Sequence, residues 1–183
     1  MARVEAFKTK KDLEKMKKEL EKVDPKFRLL FVFGLNSALR ISDIVGLKVK
    51  DVMKNGQPKK RVSLREEKTD KIKEFPLNKS IIHELKHFKN ADPEDYLFPS
   101  QKGGHLCTRY ASRTIKKVAK QIGIEGNFGS HSMRKSFGYT QLKNGTPLAI
   151  IMQLLNHSSE KDTLRYVGIT QEVLDEAYMN VIL

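Results

Sequence analysis

A single cysteine, Cys107, is present among 183 residues, so the chain can form no internal disulfide. It also lacks any apolar run of membrane-spanning length and any segment built like a secretion signal, and a reducing, cytoplasmic setting is expected. Glycine (11) and proline (6) are sparse and fall in short turns with asparagine. There is no long linker, internal repeat or low-complexity tract, and one compact domain is the simplest organisation. Acidic side chains are in short supply: 22 Asp and Glu against 35 Lys and Arg leave a net charge of +13, spread along the chain. That surplus suits an extended polyanion, with nucleic acid the first candidate, although a lysine-rich soluble surface would produce it too.

The apolar spacing sets out the elements. Thr9 with Asp12 has the form of a capping box, and Leu13, Met16, Leu20 and Val23 follow at helical intervals. Pro25 opens a second helical stretch, Phe27 to Leu35, and Ser37 to Leu47 reads as a turn and a short helix with Arg40 near its start. From Val49 to Leu77 the period changes to two, with Val62 and Leu64 set between Arg61, Ser63 and Arg65. Two or three antiparallel strands are expected there, with Lys68 at a hairpin tip. Helices resume at 80–88, 108–122, 130–142 (after a Ser130 cap), 147–155, 158–167 (after Ser158) and 170–181. The expected fold is mainly α with a small antiparallel β-sheet, an α+β arrangement.

One motif points to zinc chemistry. His83-Glu84-Leu85-Lys86-His87 matches H-E-x-x-H, in which two histidines one turn apart bind the metal and the glutamate acts as base. At about 100° per residue, however, both histidines point away from the Ile81, Leu85 and Phe88 stripe. The extended form of the motif also fails, because Asn90 and Pro93 stand where further residues are required. No metal and no other cofactor is expected.

A second constellation is richer. His131-Ser132-Met133-Arg134 puts an imidazole and a guanidinium on one face of a helix start, where an anion is favoured. Asn156-His157-Ser158-Ser159 leads to Tyr166, and Arg40 is the only charge between Leu29 and Ser42. An ion pair with Asp43 or another carboxylate is the structural alternative for Arg40. Two guanidiniums, two imidazoles and a phenol suit attack on a phosphodiester. With an ordinary pKa of about 10, a nucleophilic tyrosine needs neighbouring cations or a base.

Taken in order, Arg40, Lys68, His131-x-x-Arg134, His157 and Tyr166 resemble the catalytic domain of the tyrosine recombinases, or phage integrases. The similarity runs from Thr9 to Ile182. It is carried most specifically by Ala38-Leu39-Arg40-Ile41-Ser42-Asp43, Tyr96-Leu97-Phe98-Pro99-Ser100, His131-Ser132-Met133-Arg134 and Leu154-Leu155-Asn156-His157-Ser158-Ser159. Asn156 stands where the family usually has glycine, Met133 where leucine is commoner, and Lys135 where histidine or arginine often follows.

The resemblance implies that Tyr166 attacks a backbone phosphate to leave a 3′-phosphotyrosyl link. Arg40 and Arg134 would hold the non-bridging oxygens, His131 would take the phenolic proton, Lys68 would protonate the 5′-oxygen and His157 would bond the phosphate. It implies double-stranded DNA as partner and self-association into a tetrameric synapse, with the C-terminal tail docked either in trans on a neighbouring protomer or on its own domain. The expected organisation is a linker or arm over 1–8, a catalytic core over 9–167 and a tail helix over 168–183, without the family's separate N-terminal core-binding domain, as in a fragment or a naturally short protein. Candidate DNA contacts are Lys71, Arg109, Arg113, Lys116, Lys117 and Lys135, each of which could equally be solvated surface. A type IB topoisomerase-like relaxing enzyme and a non-catalytic DNA-binding regulator remain as alternative functions.

Overall fold

The structure is a computed structural model that describes residues 4–168, 175 and 178–181. Its first helix, α1 (Lys10–Val23), begins as the capping pattern requires. The Thr9 hydroxyl accepts from the Asp12 backbone N–H at 3.0 Å and donates to the Asp12 carboxylate at 2.7 Å. Met16 and Leu20 are buried, whereas Val23, expected on the same stripe, lies at the helix end and is half exposed. Asp24 then caps α2 (Pro25–Ser37), with Pro25 in the first turn, where its missing N–H is harmless.

Helix α2 is the centre of the domain. Phe27, Leu29, Leu30, Phe31, Val32 and Phe33 are all buried on successive faces, as expected of a helix enclosed by others. It packs against α1, against α5 (Lys79–Leu85) and against α7 (Ser130–Lys143). A β-carbon on Gly34 would come within 2.7 Å of the Met133 sulfur, so α2 and α7 meet at a distance that only glycine permits.

After α2 come α3 (Ile41–Val45) and α4 (Val49–Val52). The expected small antiparallel sheet is divided into two separate ladders, β1 (Met53–Lys54) with β2 (Gln57–Pro58) and β3 (Arg61–Arg65) with β4 (Ile72–Pro76). In the longer ladder Val62 faces Phe75 on the buried side, and Lys68 stands exposed at the turn, as its position predicts. Ile72, in the same ladder, is solvent-exposed. The remaining helices are α6 (Thr108–Gln121), α8 (Leu148–Leu154) and α9 (Glu160–Val167). Gly129 rather than Ser130 is the N-cap of α7, and Ser159 rather than Ser158 caps α9, accepting from the Asp162 N–H at 3.2 Å.

The stretch expected as an arm is packed from residue 4 onward. Phe7 stacks on Phe128 at 4.4 Å and meets Phe31 edge-on, and its N–H donates to the Ser136 hydroxyl at 2.7 Å. The expected tail helix falls for the most part outside the described residues.

A smaller apolar cluster adjoins the main core. Ala38, Ile151, Leu155 and Val167 form it, and Phe137, Leu142 and Tyr166 pack against it. Gly138 lets α7 and α9 approach there, since a β-carbon would lie 2.8 Å from Val167 and 3.2 Å from Leu155. Replacing Gly138 by leucine is expected to destabilise the domain by about 1–3 kcal/mol through overpacking. Urea denaturation would measure this, and unchanged stability would mean that the α7–α9 contact is loose.

Candidate active site

Arg134 projects from α7 into the interior and is only 4 % exposed. Its two terminal nitrogens donate to the carbonyls of Ala38 and Leu155, at the C-terminal ends of α2 and α8. Ala38 is left-handed (φ 56°), and that conformation carries the chain directly into Arg40, the N-cap of α3. The Asp43 carboxylate accepts from the backbone N–H groups of Arg40 (3.3 Å) and Glu67 (2.9 Å). The side chain of Arg40 pairs instead with Glu66, at 2.9 Å. His157 lies in the loop between α8 and α9. Tyr166 is in the last turn of α9, its ring 4.9 Å from that of His157 and nearly perpendicular to it. His131 is exposed, one turn before Arg134 on α7. Lys68 rides on the β3–β4 turn, near enough to depress the His131 pKa.

Burial first, and then the crowding of cations, shifts the titrating groups of the site. Although part of its ring is exposed, His131 is held below the ordinary imidazole range by the desolvation its packed side suffers and by the charges of Arg134, Lys135, Lys68 and Arg40. His157 is lowered by burial and by Arg134 and Arg40. Both imidazoles are therefore neutral near pH 7. The Thr163 hydroxyl donates to the Ser159 carbonyl at 2.8 Å, so at its 3.1 Å contact with His157 it accepts from Nδ1–H. Neutral His157 thus presents Nε2 as a lone pair. Burial raises the Tyr166 phenol, against the pull of Arg134 and Arg40. The Tyr166 hydroxyl is buried without completing a well-formed hydrogen bond, although the Arg134 guanidinium is close enough to draw its pKa back down.

Two charged residues that the sequence reading passed over sit inside this cluster. Glu66 is completely buried, with Arg40 and Arg134 on one of its oxygens (2.9 and 4.0 Å). Lys73, on β4, donates to the carbonyls of Leu154 (2.8 Å) and Ala38 (3.2 Å). Burial and the charge of Arg134 bring its pKa down to about 8. An available signal was period two itself, since Leu64, which points partly inward, is the register partner of Lys73. Asn156 has a φ of 50°, a left-handed conformation that explains why glycine serves at this position and why asparagine is tolerated.

Lys135 must be removed from the candidate DNA contacts. It is buried, donates to the Val4 carbonyl at 2.8 Å and lies 5.3 Å over the Tyr166 ring. Arg109, Arg113, Lys116 and Lys117 form an exposed stripe on α6, and Lys71 is exposed beyond the hairpin tip. The zinc-like motif does not form a site. His83 and His87 are exposed, the helix changes to a 3₁₀ turn at Lys86, and Glu84 is engaged by Arg28 at 2.9 Å.

Comparison with known proteins identifies the family. The model of the phage integrase family matches residues 7–172. The probable integrase/recombinase YoeC of Bacillus subtilis is 34% identical over 177 residues, covering 96% of this chain and 95% of that protein. Tyrosine recombinase XerA of Pyrococcus horikoshii is 27% identical over 174 residues, covering 92% of this chain but 59% of its own length. Among solved structures, XerA recombinase superposes with a TM-score of 0.75 at 21% identity, covering 98% of this chain and 64% of that one. XerH bound to its difH substrate in a post-cleavage complex gives 0.76 at 23%, covering 96% and 52%. Family and fold place the chain among DNA breaking-and-rejoining catalytic domains of the tyrosine recombinase type. The chain belongs to the phage integrase family.

The pKa of Lys73 makes a stability prediction. Between about 8, the folded value, and 10.5, the ordinary one, the unfolded chain retains a proton that the folded chain has released. Stability therefore rises with pH across that window, and the penalty is present in full below it. At about 1.4 kcal/mol per pH unit, the swing is at most about 3.5 kcal/mol. Without DNA, the stability of the natural protein relative to Lys73→Met should increase between about pH 7.5 and about pH 10. A constant difference in urea melts would show that Lys73 is solvated.

Proposed function

We propose that this chain is the catalytic core of a site-specific tyrosine recombinase, which cuts and rejoins DNA strands through a 3′-phosphotyrosyl intermediate. The observation that carries this reading is a buried Tyr166 hydroxyl with no well-formed bond, set beside a guanidinium pair that already brackets one carboxylate oxygen of Glu66. An oxygen anion fits between Arg40 and Arg134, and a phenol is at hand to attack it.

In the proposed reaction, Tyr166 Oη attacks the scissile phosphorus, and its proton passes to neutral His131. The bond to the 5′-oxygen breaks as Lys68 gives that oxygen a proton. Arg40 and Arg134 stabilise the charge that builds on the non-bridging oxygens. His157 donates to the phosphate only once its Nε2 is protonated, and an arriving anion favours that charged form. The phosphodiester energy is kept in the tyrosyl link, so a 5′-hydroxyl from a partner strand can reverse the step.

The substrate is duplex DNA, gripped in part by Lys71 and the basic stripe of α6. Core residues 9–167 act within a tetrameric synapse in which the tail from 168 to 183 reaches a neighbouring protomer. The setting is the cytoplasm; among the described residues no helix is long and apolar enough to cross a membrane.

A suicide duplex nicked near the cleavage site should trap a covalent complex through Tyr166, and Tyr166→Phe should trap none. Trapping through Tyr139 or Tyr178 would overturn the assignment. Relaxation of supercoiled plasmid without exchange of partner strands would indicate a topoisomerase. Arg40→Ala should slow cleavage at least about a hundredfold, the scale of losing one transition-state donor. Lys68→Ala should recover on a substrate whose 5′-bridging oxygen is sulfur, because a thiolate departs without a proton. If no recovery is seen, another group is the acid.

A further inference from the structure

The proposed phosphate pocket already holds an anion of its own. Glu66, the first residue after β3, has 0 % exposure, and its carboxylate touches three separate stretches of chain. Oε1 accepts from Arg40 at 2.9 Å, at the start of α3, and faces Arg134 at 4.0 Å. Oε2 accepts from the Thr69 hydroxyl at 2.7 Å, at the hairpin tip, and from the Asn156 amide at 2.8 Å, in the loop before α9. The Glu66 backbone closes the same turn, its N–H donating to Lys71 and its carbonyl accepting from Asp70, each at 2.9 Å. Lys68 sits inside that turn and His157 follows Asn156, so one carboxylate joins the three segments that carry Arg40, Lys68 and His157.

A buried carboxylate persists as an anion only where bonds and charges compensate its desolvation. Burial raises the Glu66 pKa, and the bonds from Thr69 and Asn156 together with Arg40 and Lys73 bring it below the ordinary value. Asn156 shows that this contact is supported from both sides. Its left-handed backbone would suit glycine better, and its side chain reaches the carboxylate, which glycine could not do.

We propose that Glu66 is a positioning residue for strand cleavage, which holds Arg40 by one nitrogen so that its remaining N–H groups face the scissile phosphate, and which seats the Lys68 turn against the His157 loop. It acts through Arg40 and the turn and touches neither phosphate nor nucleophile. The inference rests on the tyrosine-cleavage reading above.

The test compares the natural protein, Glu66→Gln and Asn156→Gly on two suicide duplexes, one with an ordinary scissile phosphate and one with a methylphosphonate. In the second, a neutral methyl replaces a charged non-bridging oxygen and relieves the need for an aligned guanidinium. Glu66→Gln should slow cleavage of the ordinary duplex by about tenfold to a hundredfold, the scale of a misplaced catalytic group. On the methylphosphonate its rate should lie within about threefold of the natural protein's, and binding to the intact duplex should not weaken. Asn156→Gly, which removes one of the bonds and relieves the backbone, should lose less than about tenfold on the ordinary duplex. An equal loss on both duplexes, or a loss matched by a lower melting temperature, would make Glu66 a brace of the fold and overturn the proposal. Unaltered cleavage by Glu66→Gln would overturn it too. Failure of the natural protein to form any tyrosyl complex would instead overturn the recombinase reading, and this inference with it.

Discussion

The burial of Arg134 organises the site. A guanidinium this deep in the protein would be prohibitively costly if left without partners, and it finds them in the carbonyls of Ala38 and Leu155. These lie at the C-terminal ends of α2 and α8, where unsatisfied carbonyls and the helix dipole both favour a cation. Three helices are thereby drawn to one point. Arg40 lies two residues beyond Ala38, and His157 lies two residues beyond Leu155. The close packing that glycine allows at Gly34 and Gly138 brings α7 near enough to α2 and α9 for the geometry to close.

Burial, together with the resulting concentration of positive charge, is uncomfortable for these groups in the free protein. Lys73 is pressed to about 8, and both site histidines and Arg134 are lowered as well. Glu66 relieves part of this repulsion from within. In the proposed reaction a scissile phosphate would relieve more, and the stability given up to keep like charges together would serve the DNA-bound state.

The two histidine motifs of the chain separate pattern from site. His83 and His87 satisfy a zinc signature letter by letter, yet they face water, and their glutamate is occupied by Arg28. His131-x-x-Arg134 is a commoner pattern, and it becomes meaningful because α7 carries Arg134 against two helix ends. Convergence of distant segments distinguishes them, which no local spacing records.

Much of the architecture was legible in the chain itself. Thr9 and Pro25 mark helix starts through local hydrogen bonding and φ preference, and the helical and two-residue apolar periods identify the elements between them. The candidate site residues were legible through their joint order. Only the tertiary structure decided that Glu66 would pair with Arg40, that Lys73 would share the Ala38 carbonyl with Arg134, and that Lys135 would turn inward to Val4 and the Tyr166 ring. In a chain with 35 basic residues, composition cannot tell a buried cation from a solvated one. The difference is set by which carbonyls and carboxylates, tens of residues away in sequence, are left without partners when the helices pack.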